Sequence, residues 1–343
     1  MFKDLSLTIS IAFLLVLSFF VLNSIAPSLF PWYVIFIILA VFAFWFFSQI
    51  GFEITSIFSI HLYIFSIFLL LLTIIIGSVT RGTVRWIPIG TLSLQPAELV
   101  RPFLLVFFAN YLTKEKLTLK RIGKALLLLS LPVFLILIQP SLGVSVLTVI
   151  GFVGILISGK FDKKYILVGI VAALILIPIF FQLMAPYQKQ RILTFLSPAS
   201  DPLGAGYNSL QSTIAVGSGE ITGRGLGRGI QTQLAFLPEK QTDFIFAATA
   251  EELGFIGGGL MLLATFIILF RLTVYMENSV NPAARAYLSG LFLTYLLQVF
   301  IHTGMNMGML PVTGLPFPLV SSGGSSLLAT MIGLGIAVGA KKN

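Results

Sequence analysis

The chain reads as an all-α polytopic membrane protein of about ten transmembrane helices, with one large extracytoplasmic loop between spans 7 and 8. Three observations predict this. Hydrophobic residues make up 57% of the 343 positions and charged residues 10%, with a mean hydropathy of +1.03, whereas a soluble domain carries about 25% charged residues. The apolar residues gather in runs near the roughly 20 that carry a helix across a bilayer. The stretch over about 182–242 is too polar and too rich in glycine to cross.

The predicted spans cover about 8–26, 31–50, 56–77, 95–113, 121–139, 141–159, 164–184, 243–270, 284–308 and 324–340. No small-residue cleavage site follows the first, so it reads as a retained helix rather than a signal. Residues 1–343 then form a single integral membrane domain. Lys3, Lys114, Lys116, Lys120, Arg121, Lys124, Lys160, Lys163, Lys164, Arg271, Arg285, Lys341 and Lys342 fall on alternate loops and ends, which marks that side, with both termini, as cytoplasmic. The opposite side carries Arg81, Arg85, Lys189, Arg191, Arg224, Arg228 and Lys240, and Arg101 lies inside a span.

Composition also excludes functions. There is no cysteine, so disulfides and thiolate metal sites are ruled out, and His61 and His302 are too few for a histidine-rich centre. The metal requirement stays open, a divalent cation being the one candidate cofactor. The net charge of +9 is distributed over the two membrane faces, which argues against a nucleic-acid partner and for membrane lipid.

Asp243 is the leading chemical candidate. It stands where the long polar loop meets an apolar helix, in LPEKQTDFIFAATAEELGFIGG. A carboxylate there suits a substrate with its tail in the bilayer and its head in water. An acid in a first helical turn also caps exposed N–H groups, so that role stays open. Seven outward-facing cations fit an anionic head group such as a pyrophosphate, for which the planar guanidinium of Arg is the better clamp. The glycine run GSGEITGRGLGRG offers backbone N–H groups to phosphate oxygens, yet it matches no nucleotide-binding pattern.

Other polar residues lie within the spans. Glu98 and Arg101, three apart, share a helical face and either neutralise each other or orient a head group. Glu251 and Glu252 follow Asp243 by eight and nine residues, and intramembrane carboxylates are functional candidates by default. His61 reads as a packed or hydrogen-bonding side chain. Pro311–Ser326, PVTGLPFPLVSSGGSS, reads as a re-entrant or cavity-lining segment, because irregular backbone at membrane depth must be covered by protein or water.

Taken together, RGTVRWIPIG with LQPAEL, DPLGAGYNSLQSTIAVGSG, FLPEKQTDFIFAATAEELGFIG and GMLPVTGLPFPLVSSGGSS resemble the SEDS family of bacterial cell-wall polymerases, which includes RodA and FtsW. The loop wording GRGIQTQLAFLPE is nearer the RodA, or elongation, branch. The resemblance implies glycosyl transfer from lipid II outside the cytoplasmic membrane. It further implies Asp243 as the catalytic acid-base group and a class B penicillin-binding protein, a transpeptidase, as partner. Four departures stand out: Arg101 where the family usually has Lys, Ser141 in place of an acid, His302 in place of Asn, and Ser322 in place of Tyr. Three other readings use the same residues: a lipid II flippase with Glu98, Arg101, Glu251 and Glu252 as a polar path, a division-type polymerase, and a non-catalytic scaffold for a penicillin-binding protein.

Overall fold

The computed structural model describes residues 4–80, 83–89, 92–159, 186–197 and 205–341. Helices α1 (Leu5–Ile25) and α2 (Phe30–Gln49) lead into a short α3 (Phe52–Ile57) and then α4 (Ser59–Ile76). Three strands follow, β1 (Ser78–Thr80), β2 (Thr83–Ile89) and β3 (Leu92–Leu94), then α5 (Pro96–Leu99), α6 (Arg101–Thr113), α7 (Leu119–Ile138) and α8 (Leu142–Ser158). Beyond residue 185 come α9 (Pro186–Leu196), α10 (Ala205–Ser218), α11 (Ile230–Gln233), α12 (Ile245–Asn278), α13 (Pro282–Asn306) and α14 (Gly324–Ala340). Among the described residues, α1, α2, α4, α7, α12 and α13 are long and apolar enough to cross a membrane, while α8 and α14 are shorter apolar helices. The fourth predicted span is realised as α5 and α6. The seventh, 164–184, lies outside the described residues.

Local chemistry sets several helix starts. Asp4 caps α1 by accepting from Leu7 N at 3.2 Å, and Thr118 caps α7 by accepting from Arg121 N at 3.3 Å. Asn281 caps α13, accepting from Ala283 N and Ala284 N at 2.9 and 3.3 Å, with Pro282 at the first helical position. α2 packs along α14, α8 along α13, and α12 against both α13 and α1. At the α8–α13 crossing a Cβ on Gly154 would lie 2.7 Å from Ser289 O and 2.8 Å from Gly290 Cα, so only small residues allow this approach. Outward faces present Ile38, Phe42 and Trp45 to lipid, whereas Leu14, Tyr287, Tyr295 and Phe317 fill the interior.

The two ends of the helix array differ. At the end holding both termini, Asp4 pairs with Arg271 (Nε at 2.8 Å) and Lys341 (3.7 Å) and accepts from Tyr275 OH at 2.7 Å. Burial would raise the Asp4 pKa, but hydrogen bonds from Tyr275, Arg271 and Leu7 N outweigh it and hold the carboxyl below its ordinary value. The other end carries the elements between α8 and α12.

Two segments read as loops contain regular structure among their described residues. Within RGTVRWIPIG, Thr83–Ile89 is the central strand of a three-stranded antiparallel meander, with Ser78 opposite Trp86 and Ile87 opposite Leu94. The stretch over 182–242 contains α9, α10 and α11, whose amphipathic turns lack the hydropathy that marks a span.

Candidate active site

Asp243 closes a tight turn in which its N–H donates to Glu239 O at 3.0 Å. Glu239 holds φ at +52°, a conformation non-glycine residues rarely adopt and one that clusters at functional sites. Helix α12 starts two residues later, with Phe244 at its N-cap. Phe244 has no side-chain acceptor, so the cap comes from elsewhere. The buried Asn306, at the end of α13, accepts from Ala247 N at 3.0 Å and donates through Nδ2 to Asp243 O (3.0 Å) and His302 O (2.7 Å). Its own carbonyl accepts from Ser212 Oγ of α10 at 2.8 Å. One side-chain amide therefore fixes the backbone on both sides of the α12 entrance.

Residues 311–323 form the second wall. They are irregular and yet deeply inserted, with Leu315, Phe317, Leu319 and Val320 buried. Surrounding side chains satisfy the backbone: His302 Nδ1 bonds Leu315 O at 2.7 Å, Gln298 Nε2 donates to Pro316 O at 2.8 Å, and Ser18 Oγ donates to Val320 O. Ser321 Oγ donates to Thr242 O, and Ser322 N donates to Gln241 O. Buried irregular backbone survives at this depth only with such partners, and these tie the segment to the turn that carries Asp243.

Arg191 on α9 completes the site. Its Nη1 donates to Val312 O at 3.2 Å. A Cβ on Gly314 would lie 3.5 Å from Asp243 Oδ2 and 3.7 Å from Arg191 Nη1, so acid and guanidinium flank a single point that glycine leaves open. Beside Arg191 is a shallow surface recess lined by Thr194, Phe195, Ser209, Pro311 and Val312. Asp243 itself is half-buried.

A strap of residues 219–233 braces the same end of α12. Gly254 interrupts the helix at φ +67°. The interruption leaves Glu251 O and Glu252 O to accept from Arg224 N (3.0 Å) and Gly225 N (2.9 Å), while Phe255 N and Ile256 N donate to Glu220 O and Ile221 O. The Glu251 carboxylate accepts from Gln231 N (2.8 Å) and Thr232 N (3.0 Å), capping α11 from another helix. Glu252 Oε1 accepts from Ser24 Oγ, Gln233 Nε2 and Gly227 N at 2.9, 3.0 and 3.2 Å. The glycine N–H groups expected to greet phosphate are thus engaged inside the protein: Gly223 N with Gly219 O, Gly225 N with Glu252 O, and Gly227 N with Glu252.

The remaining residues singled out from sequence are dispersed. Arg224 and Arg228 sit exposed on the strap, Arg224 Nε donating to Ser218 Oγ at 3.3 Å. Lys240 Nζ donates to Thr232 O; burial lowers its pKa, against the opposing pull of Glu252 and Glu251. Lys189 is half-buried on α9 and Arg85 half-buried on β2. Arg81 lies outside the described residues. Glu98 and Arg101 are buried and paired at 3.1 Å, and Arg101 Nη2 donates to Gln298 Oε1 at 3.1 Å, linking α5–α6 to α13. Ser141 accepts from Gln95 Nε2 at 3.3 Å. His61 is exposed near the start of α4, against the ring of Phe58, rather than packed inside. Among the described residues no three His, Cys, Asp or Glu converge as metal ligands.

The sequence reading missed Asn306. An asparagine four residues after a buried histidine on one helical face was the available signal, but its importance arises only when α10, α12 and α13 meet.

Fold and site define a class: a multi-pass membrane protein with an aspartate and an arginine flanking one open point of a buried non-helical segment at one end of its spans. The chain belongs to the FtsW/RodA/SpoVE family, whose model, described as cell cycle protein, matches residues 3–343. It is 40% identical over 282 residues to the peptidoglycan glycosyltransferase MrdB of Escherichia coli strain K12, covering 81% of this chain and 76% of that protein. Against the probable peptidoglycan glycosyltransferase FtsW of Buchnera aphidicola subsp. Baizongia pistaciae the identity is 37% over 286 residues, covering 80% and 73%. Among solved structures, a chain described under the structural coordination of polymerization and crosslinking by a peptidoglycan synthase complex superimposes with a TM-score of 0.85 at 29% identity, covering 99% and 97%. The crystal structure of the rod shape determining protein RodA from Thermus thermophilus gives 0.74 at 26%, covering 99% and 96%.

Proposed function

We infer that this chain is a peptidoglycan glycosyltransferase of the bacterial cytoplasmic membrane that polymerises lipid II into glycan strands for elongation and cell shape. Family membership and the relatives' activity support the reaction class. The observation that carries the mechanism is the convergence of Asp243 and Arg191 on one open point at Gly314. In the proposed step the Asp243 carboxylate accepts the proton of the acceptor sugar's 4-hydroxyl. The hydroxyl oxygen bonds to the anomeric carbon of the lipid-linked donor, and the bond from that carbon to the polyprenyl pyrophosphate breaks. Arg191 stands where it can meet the leaving group's negative charge; Arg81, Arg85, Lys189, Arg224, Arg228 and Lys240 are candidates along the path of head group and lipid, and Glu98 with Arg101 for shaping it. A positioned base is worth about 10²–10⁴-fold and a preorganised charge stabiliser about 10²–10³-fold.

The distribution of Lys and Arg supports cytoplasmic termini and an outward-facing Asp243. The likeness to a component of a synthase complex supports a class B penicillin-binding protein as partner. The test is polymerisation of purified lipid II by Asp243→Asn, which should make no glycan while folding and inserting normally; normal polymer from that variant would remove Asp243 from the mechanism.

A further inference from the structure

A second feature lies far from Asp243. Where α6 ends, α7 begins and α3 meets α4, an open groove of about 690 Å³ lies at the protein surface. Lys114, Lys120, Arg121 and Lys124 line it, and among the described residues Glu115 is the one carboxylate on its wall. That carboxylate is already paired with Arg121, whose Nε also donates to Tyr111 O at 3.0 Å. Lys114, Lys120 and Lys124 remain exposed. Two of them lie in the opening turns of α7, where the helix itself presents partial positive charge and no acid offsets it. The floor is fixed by Asn110 Nδ2, which donates to Ser56 O (3.0 Å) and Ser59 Oγ (2.8 Å).

The opposite wall is apolar. Ile57 and Ile60 line the groove and are 71% and 56% exposed. Cations at the ends of two membrane-spanning helices, facing exposed isoleucines, match a ligand with an anionic head and a hydrocarbon tail. A water-soluble anion would leave the isoleucines unused. The groove also lies at the terminal end of the array, since α3 begins where Gly339 of α14 meets Ile50 O. A polyprenyl substrate held here would be at the wrong end for Asp243.

We propose that this groove binds an anionic glycerophospholipid of the surrounding leaflet. The phosphodiester meets Lys114, Lys120 and Lys124, and an acyl chain runs along Ile57 and Ile60. The site is separate from the polymerase chemistry and does not depend on it.

Native mass spectrometry of the purified full-length chain, with phosphatidylglycerol or phosphatidylcholine added in equal amounts, tests this. Wild type should retain phosphatidylglycerol preferentially. At roughly fivefold per basic group near an anionic partner, the triple change Lys114→Gln, Lys120→Gln, Lys124→Gln should weaken retention on the order of a hundredfold. Lys116→Gln, outside the groove, should leave it unchanged. Glu115→Gln releases Arg121 and should tighten binding several-fold, a gain that misfolding cannot mimic and that decides the matter should the triple variant fail to fold. Equal retention of the two lipids, no loss in the triple variant, no gain in Glu115→Gln, or displacement by undecaprenyl pyrophosphate in preference to phosphatidylglycerol would each overturn the proposal.

Discussion

Two carboxylate sites lie within ten residues at the entrance of α12, and their surroundings assign them opposite tasks. Glu251 and Glu252 are fully buried, and each accepts hydrogen bonds from backbone N–H groups of the strap. Asp243 is half-buried in the turn ahead of the helix, its backbone held by Asn306 and its side chain converging with that of Arg191 on the open point at Gly314. The difference teaches that an acid near a membrane surface declares its role through what holds it. Where backbone donors close around the oxygens, the charge shapes the protein. Where the acid sits half-buried in a turn whose backbone is held by a neighbouring helix, the side chain is positioned for a substrate.

The sharpest way to break this comparison is a double dissociation. Asp243→Asn should lower kcat for lipid II polymerisation on the order of 10²–10⁴-fold with melting temperature unchanged. Glu251→Ala should do the reverse, costing on the order of 3 kcal/mol by stranding Gln231 N and Thr232 N, with kcat largely kept at low temperature. Matching losses of stability and activity in both variants would erase the distinction. Next in size, Arg191→Gln should cost about 10²–10³-fold in kcat/KM, with partial recovery in Arg191→Lys, because charge returns without the fork.

Asn306→Ala tests the clamp rather than the acid. It should reduce kcat by about 10²-fold with a smaller effect on KM, since misplacing a reacting group by about an ångström has that consequence. A change in KM alone would mean that Asn306 serves binding instead. The smallest effect belongs to the opposite end of the molecule. Asp4 has a folded pKa below its unfolded value, so its contribution is present above the unfolded value and lost as pH falls through the folded one. Thermal melts in detergent should therefore show wild type losing its advantage over Asp4→Asn as pH drops below about 4.

Much of the fold was legible because hydropathy marks spans directly. Predicted limits of 324–340 and 284–308 meet helices at Gly324–Ala340 and Pro282–Asn306. The meander was not, since alternation in TVRWIPI is short, interrupted by Pro88 and flanked in sequence by Gly82 and Gly90. Nor were α9 and α10, whose mixed faces pack against neighbours the sequence does not name. Asp243 stood out by chemical contrast with its apolar surroundings. Its linkage to Arg191 and Asn306 did not, because those residues lie 52 positions before it and 63 after and meet it only through Gly314 and the end of α13. The glycine run was visible as a pattern but misread in purpose, because Gly254 breaks α12 and hands its carbonyls to the strap.

The clamping of residues 311–323 from several sides has a practical corollary for protein engineering. Carbonyls at Leu315, Pro316 and Val320 are gripped by side chains of α13 and α1, and Ser321 and Ser322 grip the turn before α12. An epitope or fluorophore inserted there would unseat several helices at once. The turn around Val280, 83% exposed between α12 and α13, offers an attachment point that leaves this keystone undisturbed.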